Sequence, residues 1–416
     1  MSVERDYDDL ARIDRTHVSL YKDQGVYNDE MERIFYRSWI YVAHESEIPN
    51  PGDYKTTFMG DVPVIVTRGQ NNEINVVINR CTHRGVAVCP LEKGNTPSFV
   101  CKYHGWEFGM DGELLAVSMP RGYNEGELDF KSLGLVAAKK VESYRGIIFA
   151  SLLSVPDISL DEKLRGVKEY IDMYMDFSPV GEIIVGNSGV NKHYYHANWK
   201  IQTEGSVEGY HAPVTHSTAF DIMVRKMGMP PNYQGYGTKG LDGGYGNNLL
   251  EVYSLPDEAV YKRWPAEYID LMIEKHGKER AMHVLRHRFN LVIFPNLAIL
   301  EYQFRVIRPM GVDKTEVRMY HTMLKDAPDD INTRRVREHE FFYSPAAFGG
   351  PDDYAMFDRA GQGMKADMVP WILFNRGIKS EEVDEHGRRY GGHTQETQQR
   401  APYFEYRRLM KTGGQS

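Results

Sequence analysis

Two short runs hold the residues best suited to chemistry: Cys81-Thr82-His83-Arg84-Gly85 and Cys101-Lys102-Tyr103-His104-Gly105. Each supplies one thiol and one imidazole, as Cys-x-His and then, after 17 residues, Cys-x-x-His. A glycine closes each run, where backbone must approach a bound group closely. Two thiolates and two imidazoles suit a [2Fe–2S] centre in which one iron takes Cys81 and Cys101 and the other takes His83 and His104. The same four residues would also satisfy a tetrahedral structural zinc ion. Zinc fingers usually group Cys with Cys and His with His, whereas each run here mixes them, and this favours the cluster. Imidazole in place of thiolate raises the potential of such a cluster and leaves a histidine edge near solvent for electrons. The third cysteine, Cys89, reads as a small, buried, inert side chain.

The second constellation, His196 to His216, ends in Glu-Gly-Tyr-His-Ala-Pro-Val-Thr-His, with His211 and His216 five residues apart. On a straight helix, about 100° per residue would set them roughly 140° apart, on different faces. Pro213 lies between them; it cannot donate to the carbonyl of Gly209, and its ring clashes there. A helix broken at Pro213, or opened by a π-type bulge, would let both histidines reach one iron ion. Two histidines and one carboxylate on one face of iron(II) leave positions open for O2 and a substrate edge. In a chain with 15 histidines the pair alone is a weak signal; its neighbours strengthen it.

The run CTHRG…CKYHGW, with Trp106 after the second glycine, resembles the oxygenase form of the motif in the large (α) subunits of Rieske non-haem iron oxygenases. Respiratory Rieske proteins add a cysteine to each loop and join the two by a disulfide, which Cys89 alone cannot form. The second stretch resembles the same family's Asn-Trp-Lys-x3-Glu-Asn-x2-Asp-x-Tyr-His-x4-His pattern, matched at Asn198, Trp199, Lys200, Glu204, Tyr210, His211 and His216. Gly205 stands where the family usually has asparagine, and Glu208 where it usually has aspartate. The resemblance implies that Glu208 bridges His104 of one subunit to His211 of its neighbour. Glutamate there is similar to a branch that includes enzymes acting on quaternary amines. Further on, FFYSPAAFGGPDDYAMF resembles the family's Gly-Pro-Ala-Gly-Phe…Asp-Asp stretch, which implies Asp353 as the third iron ligand and Asp352 as the alternative. The acidic pair could instead cap a helix after Pro351. Tyr343 and Phe348 are expected to line a substrate pocket, or else to be ordinary core.

The resemblance further implies a mononuclear Fe(II) beside the Rieske cluster, with NAD(P)H electrons arriving through a partner reductase, directly or by way of a ferredoxin. One or both atoms of O2 would be inserted into a small-molecule substrate. It implies a head-to-tail homotrimer, since transfer between centres crosses a heterologous interface that must close into a ring. The run from Tyr21 to Val66 is similar to benzoate-, salicylate- and terephthalate-type α subunits, which often assemble as α3β3 with a small β subunit. An aromatic acid is therefore the expected substrate. The alternatives are a monooxygenase acting on a quaternary amine, a Rieske electron carrier without oxygenase activity, and a zinc-stabilised binding module.

These residues need a scaffold of class α+β. An antiparallel β Rieske domain over residues 39–155 is expected inside a catalytic domain formed by 1–38 and 156–416, where the resemblance implies a helix-grip, START-like sheet flanked by helices. Strands are expected at WIYVA, PVIVTR, INVVINR and YRGIIFASL, with an Asp111-Gly112 hairpin between SFVCKYHGWEF and ELLAV. Helices are expected at NDEMERIFYR, Ser159–Phe177 and INTRRVREHEFFY, and strands at NLVIFPNLAILEYQFRVIRP and TEVRMYHTML. At 416 residues, 41% hydrophobic and 26% charged, the chain has room for two or three domains and a large core. A net charge of −8 argues against nucleic-acid binding. No run of 18 apolar residues would span a membrane, and the amino terminus has no export signal, so a cytoplasmic protein is expected. Three cysteines cannot build a disulfide framework.

Overall fold

The computed structural model describes residues 5–154, 156–186, 189–227 and 238–412. They divide into two compact units, one formed by Phe35–Asp157 and the other by Met1–Ile34 together with Ile158–Ser416. Residues 1–4, 155, 187–188, 228–237 and 413–416 of the expected domain ranges lie outside the described residues.

The unit Phe35–Asp157 is built from three small antiparallel sheets. One orders its strands Ile74–Ile78, Val62–Arg68, Asp53–Met59 and Lys93–Asn95. A second pairs Phe99–Val100 with Glu107–Phe108 and that with Leu114–Ala116, the last turn using Gly112 at φ +91°. Only glycine takes that conformation without cost, which is why Asp-Gly marks the hairpin. The third runs Lys140–Tyr144, Ile147–Ser151, Ile40–His44. Here the expected single strand YRGIIFASL is instead the turn and second strand of a hairpin. Arg145 (φ +52°) and Gly146 (φ +81°) form a two-residue turn whose twist matches the strands it joins. Ile65, Val77, Phe99, Trp106 and Phe108 form the core, and Cys81, Cys89 and Cys101 are buried within it.

In the other unit a ten-stranded antiparallel sheet has Lys314–Leu324 and Gln303–Gly311 as its longest strands. Helix Asp329–Tyr343 buries Ile331, Arg335, His339 and Tyr343, a stripe at every fourth residue, against Lys314–Leu324. Helix Thr397–Thr412 covers the strands Lys239–Asp242 and Asn248–Ser254. The expected helix Ser159–Phe177 is two, Leu160–Leu164 and Lys168–Met175. Gly166 interrupts it: a Cβ there would sit 2.0 Å from the Gly243 carbonyl oxygen, so the backbones meet where a continuous helix would carry a side chain. The segment NDEMERIFYR also changes form within itself, from α-helix Gln24–Glu30 to π-helix Met31–Phe35. Mixed helix and antiparallel sheet agree with the expected α+β class. No helix among the described residues is long and apolar enough to cross a membrane.

Candidate active site

The two cysteine–histidine runs fold alike. Cys81 N–H donates to the Val86 carbonyl at 2.8 Å and Gly85 N–H to the Cys81 carbonyl at 2.9 Å. The second loop repeats this with Cys101 to Trp106 at 2.8 Å and Gly105 to Cys101 at 2.9 Å. Gly85 (φ +76°) and Gly105 (φ +68°) reverse each chain in the left-handed region. The different spacing, Cys-x-His against Cys-x-x-His, therefore places the two histidines at different points of the same loop. Cys81 and Cys101 are 2% and 1% exposed free thiols, and the His83 and His104 rings lie 4.6 Å apart. His83 stacks on Trp106 at 4.8 Å with planes 7° apart, which gives Trp106 a role in setting the ring. Burial raises the Cys81 thiol, and a hydrogen bond with Cys101 adds to the rise. The buried Nδ1 of His83 has no hydrogen-bond partner among the described residues. Two adjoining thiols and an imidazole nitrogen left unpaired fit a group that takes two sulfurs and two nitrogens. Cys89 is reduced and buried, with its backbone tied to Asn79 at 2.7 and 2.9 Å, as the inert reading expects.

In the larger unit, the motif residues before the histidines are anchors. A 0%-exposed Glu30 accepts from Trp199 Nε1 at 2.8 Å, from Tyr406 at 2.8 Å and from Lys200 Nζ, fixing the start of helix Lys200–Gly205. Glu204 accepts from Tyr21 at 2.8 Å and from Tyr403; burial raises its carboxyl to about 7 against those bonds. Asn198 caps with its amide oxygen on Lys200 N–H, 3.2 Å. Tyr210 is half exposed under Arg376, 3.9 Å from the guanidinium.

The helix breaks earlier than expected. It ends at Gly205, residues 206–211 are irregular, and a one-turn helix Ala212–Thr215 follows. Pro213 sits in the first turn of that helix, where a missing N–H costs nothing, so it marks a start and breaks nothing. His216 (φ −99°, ψ 25°) ends the turn before helix Ser217–Met227 begins. The two histidines thus flank one turn, with ring centroids 5.4 Å apart. Gly209 lets the chain pass His393, whose Nε2 would lie 2.4 Å from any Cβ there.

Asp353 comes from the first turn of helix Gly350–Gly363. Its Oδ1 lies 3.4 Å from His211 Nε2 and 3.1 Å from His216 Nε2. One donor atom from each of the three residues falls within 4.8 Å of the others, a group able to hold a metal ion. Glu208 Oε2 accepts from His211 Nδ1 at 3.0 Å, which turns Nε2 toward Asp353. Burial opposes charge on His211, but the hydrogen bonds to Asp353 and Glu208 outweigh it and raise its pKa to about 10. The same pairing holds Asp353 far below the carboxylate range despite its burial. Among the described residues the buried Nδ1 of His216 also lacks a hydrogen-bond partner, with Asp352 Oδ2 3.6 Å away on a 45% exposed side chain. The donor set fits an iron(II) site through Asp353, with Asp352 outside the group.

The triad forms part of the wall of a cavity of about 400 Å3. Tyr343 lines it; Phe348 does not. Phe348 is 42% exposed and packs on Phe341 at 5.0 Å, because the chain turns out of the helix at Ser344 before reaching it. The sequence reading also missed four arginines of the lining, Arg263, Arg288, Arg305 and Arg334. The signal was present for Arg305, a charged residue inside the apolar strand run ILEYQFRVI.

Residues 38–127 match the Rieske [2Fe-2S] domain, and residues 164–412 match the ring hydroxylating alpha subunit catalytic domain. The chain is 33% identical over 382 residues to the toluate 1,2-dioxygenase alpha subunit of Pseudomonas putida, covering 86% of this chain and 80% of that one. It is 31% identical over 399 residues to the 2-halobenzoate 1,2-dioxygenase large subunit of Burkholderia cepacia, covering 91% and 83%. The solved naphthalene 1,2-dioxygenase from Rhodococcus sp. bound to indole superposes with a TM-score of 0.85 at 26% identity, over 96% of this chain and 95% of that one. A quaternary ammonium Rieske monooxygenase, 17% identical with a TM-score of 0.67, shares only the fold, so the quaternary-amine alternative has distant company alone. The catalytic-domain match leaves no place for the electron-carrier and zinc-module alternatives. With both halves matched, the chain belongs to the ring-hydroxylating oxygenases as an α subunit, an oxidoreductase that acts with O2 and combines a Rieske [2Fe–2S] domain with a non-haem iron catalytic domain.

Proposed function

We propose that this chain is the terminal oxygenase subunit that cis-dihydroxylates an aromatic acid. The convergence of His211, His216 and Asp353 on one cavity carries the reading. The relatives named for toluate, 2-halobenzoate and anthranilate, all aromatic acids, support the substrate class. His211, His216 and Asp353 would hold iron(II), which when bound supplies O2 activation beside the substrate. Cys81, Cys101, His83 and His104 would hold the Rieske cluster.

The chain's own residues do the positioning. Glu208 holds the Nδ1 proton of His211 and so keeps Nε2 free for the centre. Phe220 and Phe342 pack edge-to-face with His216, ring centroids 6.3 and 5.5 Å away, and keep water off that side. Among the described residues Glu208 makes its hydrogen bond through one oxygen only, which leaves the other for a partner. We read that partner as His104 of the next copy in a head-to-tail trimer, fed by a reductase or ferredoxin in the cytoplasm. The "large subunit" names of the relatives favour an accompanying small β subunit.

The test is reconstitution with a generic reductase, NADH and 18O2 across benzoates, neutral arenes and quaternary amines. A benzoate cis-diol carrying two labelled oxygens is the expected product. Turnover confined to neutral arenes or amines would refute the aromatic-acid reading.

A further inference from the structure

This inference rests on the aromatic-acid reading above. Of the four cavity arginines, three have carboxylate partners in place. Arg263 and Arg288 lie 2.9 and 2.7 Å from the two oxygens of Glu301, and Arg334 lies 2.7 Å from Glu338. Arg305 differs. It is 3% exposed, yet among the described residues its side chain has no hydrogen bond and no ion pair, and its Nε is buried without a partner. Its guanidinium carbon stands 5.4 Å from the centroid of Tyr343, a cation–π contact that leaves the N–H fork unused.

Asp353, the carboxylate that shares the tyrosine neighbours of Arg305, is already paired with His211 and His216. Burial lowers His193 and His339 to about 4, with the charge of Arg305 adding to it, so both are neutral. Burial likewise raises the Tyr343 phenol, which stays protonated. A guanidinium does not shed its proton, and an isolated buried charge is strongly unfavourable. The fold tolerates one here, on the interior strand Gln303–Gly311, facing the same cavity as the His211–His216–Asp353 group.

We propose that Arg305 is the anchor for the substrate's carboxylate. The planar fork takes the two carboxylate oxygens side by side, which completes the missing ion pair and fixes which edge of the ring faces the triad. A neutral aromatic of the same shape would leave the charge unpaired and bind less well.

Anaerobic calorimetric titration of the holoenzyme with benzoate and with benzamide, its neutral isostere, tests this in the wild type, Arg305→Gln and Arg305→Lys. Wild type should prefer benzoate by about tenfold or more. Arg305→Gln should lose roughly 30- to 1,000-fold in benzoate affinity. Its benzamide affinity should stay within about threefold, which also reports an intact pocket, and Arg305→Lys should recover part of the benzoate affinity. Arg305→Gln that keeps wild-type benzoate affinity, or that loses both ligands equally, would overturn the anchor and leave the aromatic-acid reading standing. Wild type that binds benzamide and not benzoate would overturn that reading, and this inference with it.

Discussion

The two groups of histidines in this molecule are built in opposite ways. Each half of the cysteine–histidine site is a five-residue loop closed by its own backbone bonds, and two copies of one loop make the whole. The histidine–carboxylate site has no such local frame. His211 and His216 flank a single helical turn, and Asp353 arrives from a different helix. The first site depends on left-handed glycines; the second depends on tertiary packing and on a buried layer of anchors, Glu30 and Glu204, one step behind it. Local loops tolerate distant change, whereas a dispersed site inherits the state of everything that positions it.

That contrast can be broken at either end. Asp353→Ala should have the largest effect, abolishing turnover and lowering iron from about three to about two atoms per chain while the Rieske absorption and electron paramagnetic resonance signals stay intact. Unchanged iron content would move the third ligand elsewhere. The mirror experiment is Gly105→Ala. The left-handed backbone costs an alanine about 1–2 kcal/mol, and its Cβ would also meet that of Ser118 at 3.1 Å. Cluster absorption should fall with mononuclear iron retained. Gly85→Ala, with nothing nearer than 3.4 Å, should be the milder of the two.

Glu208→Ala should keep both centres and lower NADH-coupled turnover by about 10- to 100-fold, the range for groups that orient a ligand. Full activity would remove the bridging role. The smallest effect concerns the anchors. Glu204 has its folded pKa raised from 4.5 to about 7, so the stability it contributes is complete below the lower value and is lost as pH rises through the upper one. Glu204→Gln cannot ionise and should flatten that decline by at most a few kcal/mol, read as melting temperature between pH 5 and 8.

Legibility followed the same division. Cys81, His83, Cys101 and His104 could be read because their geometry is contained in their own loops. His211 and His216 could be paired from spacing and company, but the position of the break could not. Pro213 is compatible with either a broken helix or a helix start, and what decides is the close passage of Gly209 against His393. Asp353 needed the resemblance, since two adjacent aspartates after a proline also describe a plain helix start. Phe348 was misread because the helix stops at Tyr343, and a residue five positions on no longer shares its face. The arginine–glutamate pairs of the cavity escaped altogether, because an ion pair between neighbouring strands and helices has no sequence period.

Gly205, the departure in the motif, lies where a Cβ would come within 2.8 Å of the tip of the Phe357 ring. Helix Gly350–Gly363, which carries Asp353, therefore rests in the hollow that an absent side chain leaves. With Phe357 in place, an asparagine at 205 would displace the ligand helix. Seating that side chain would take a smaller residue at 357.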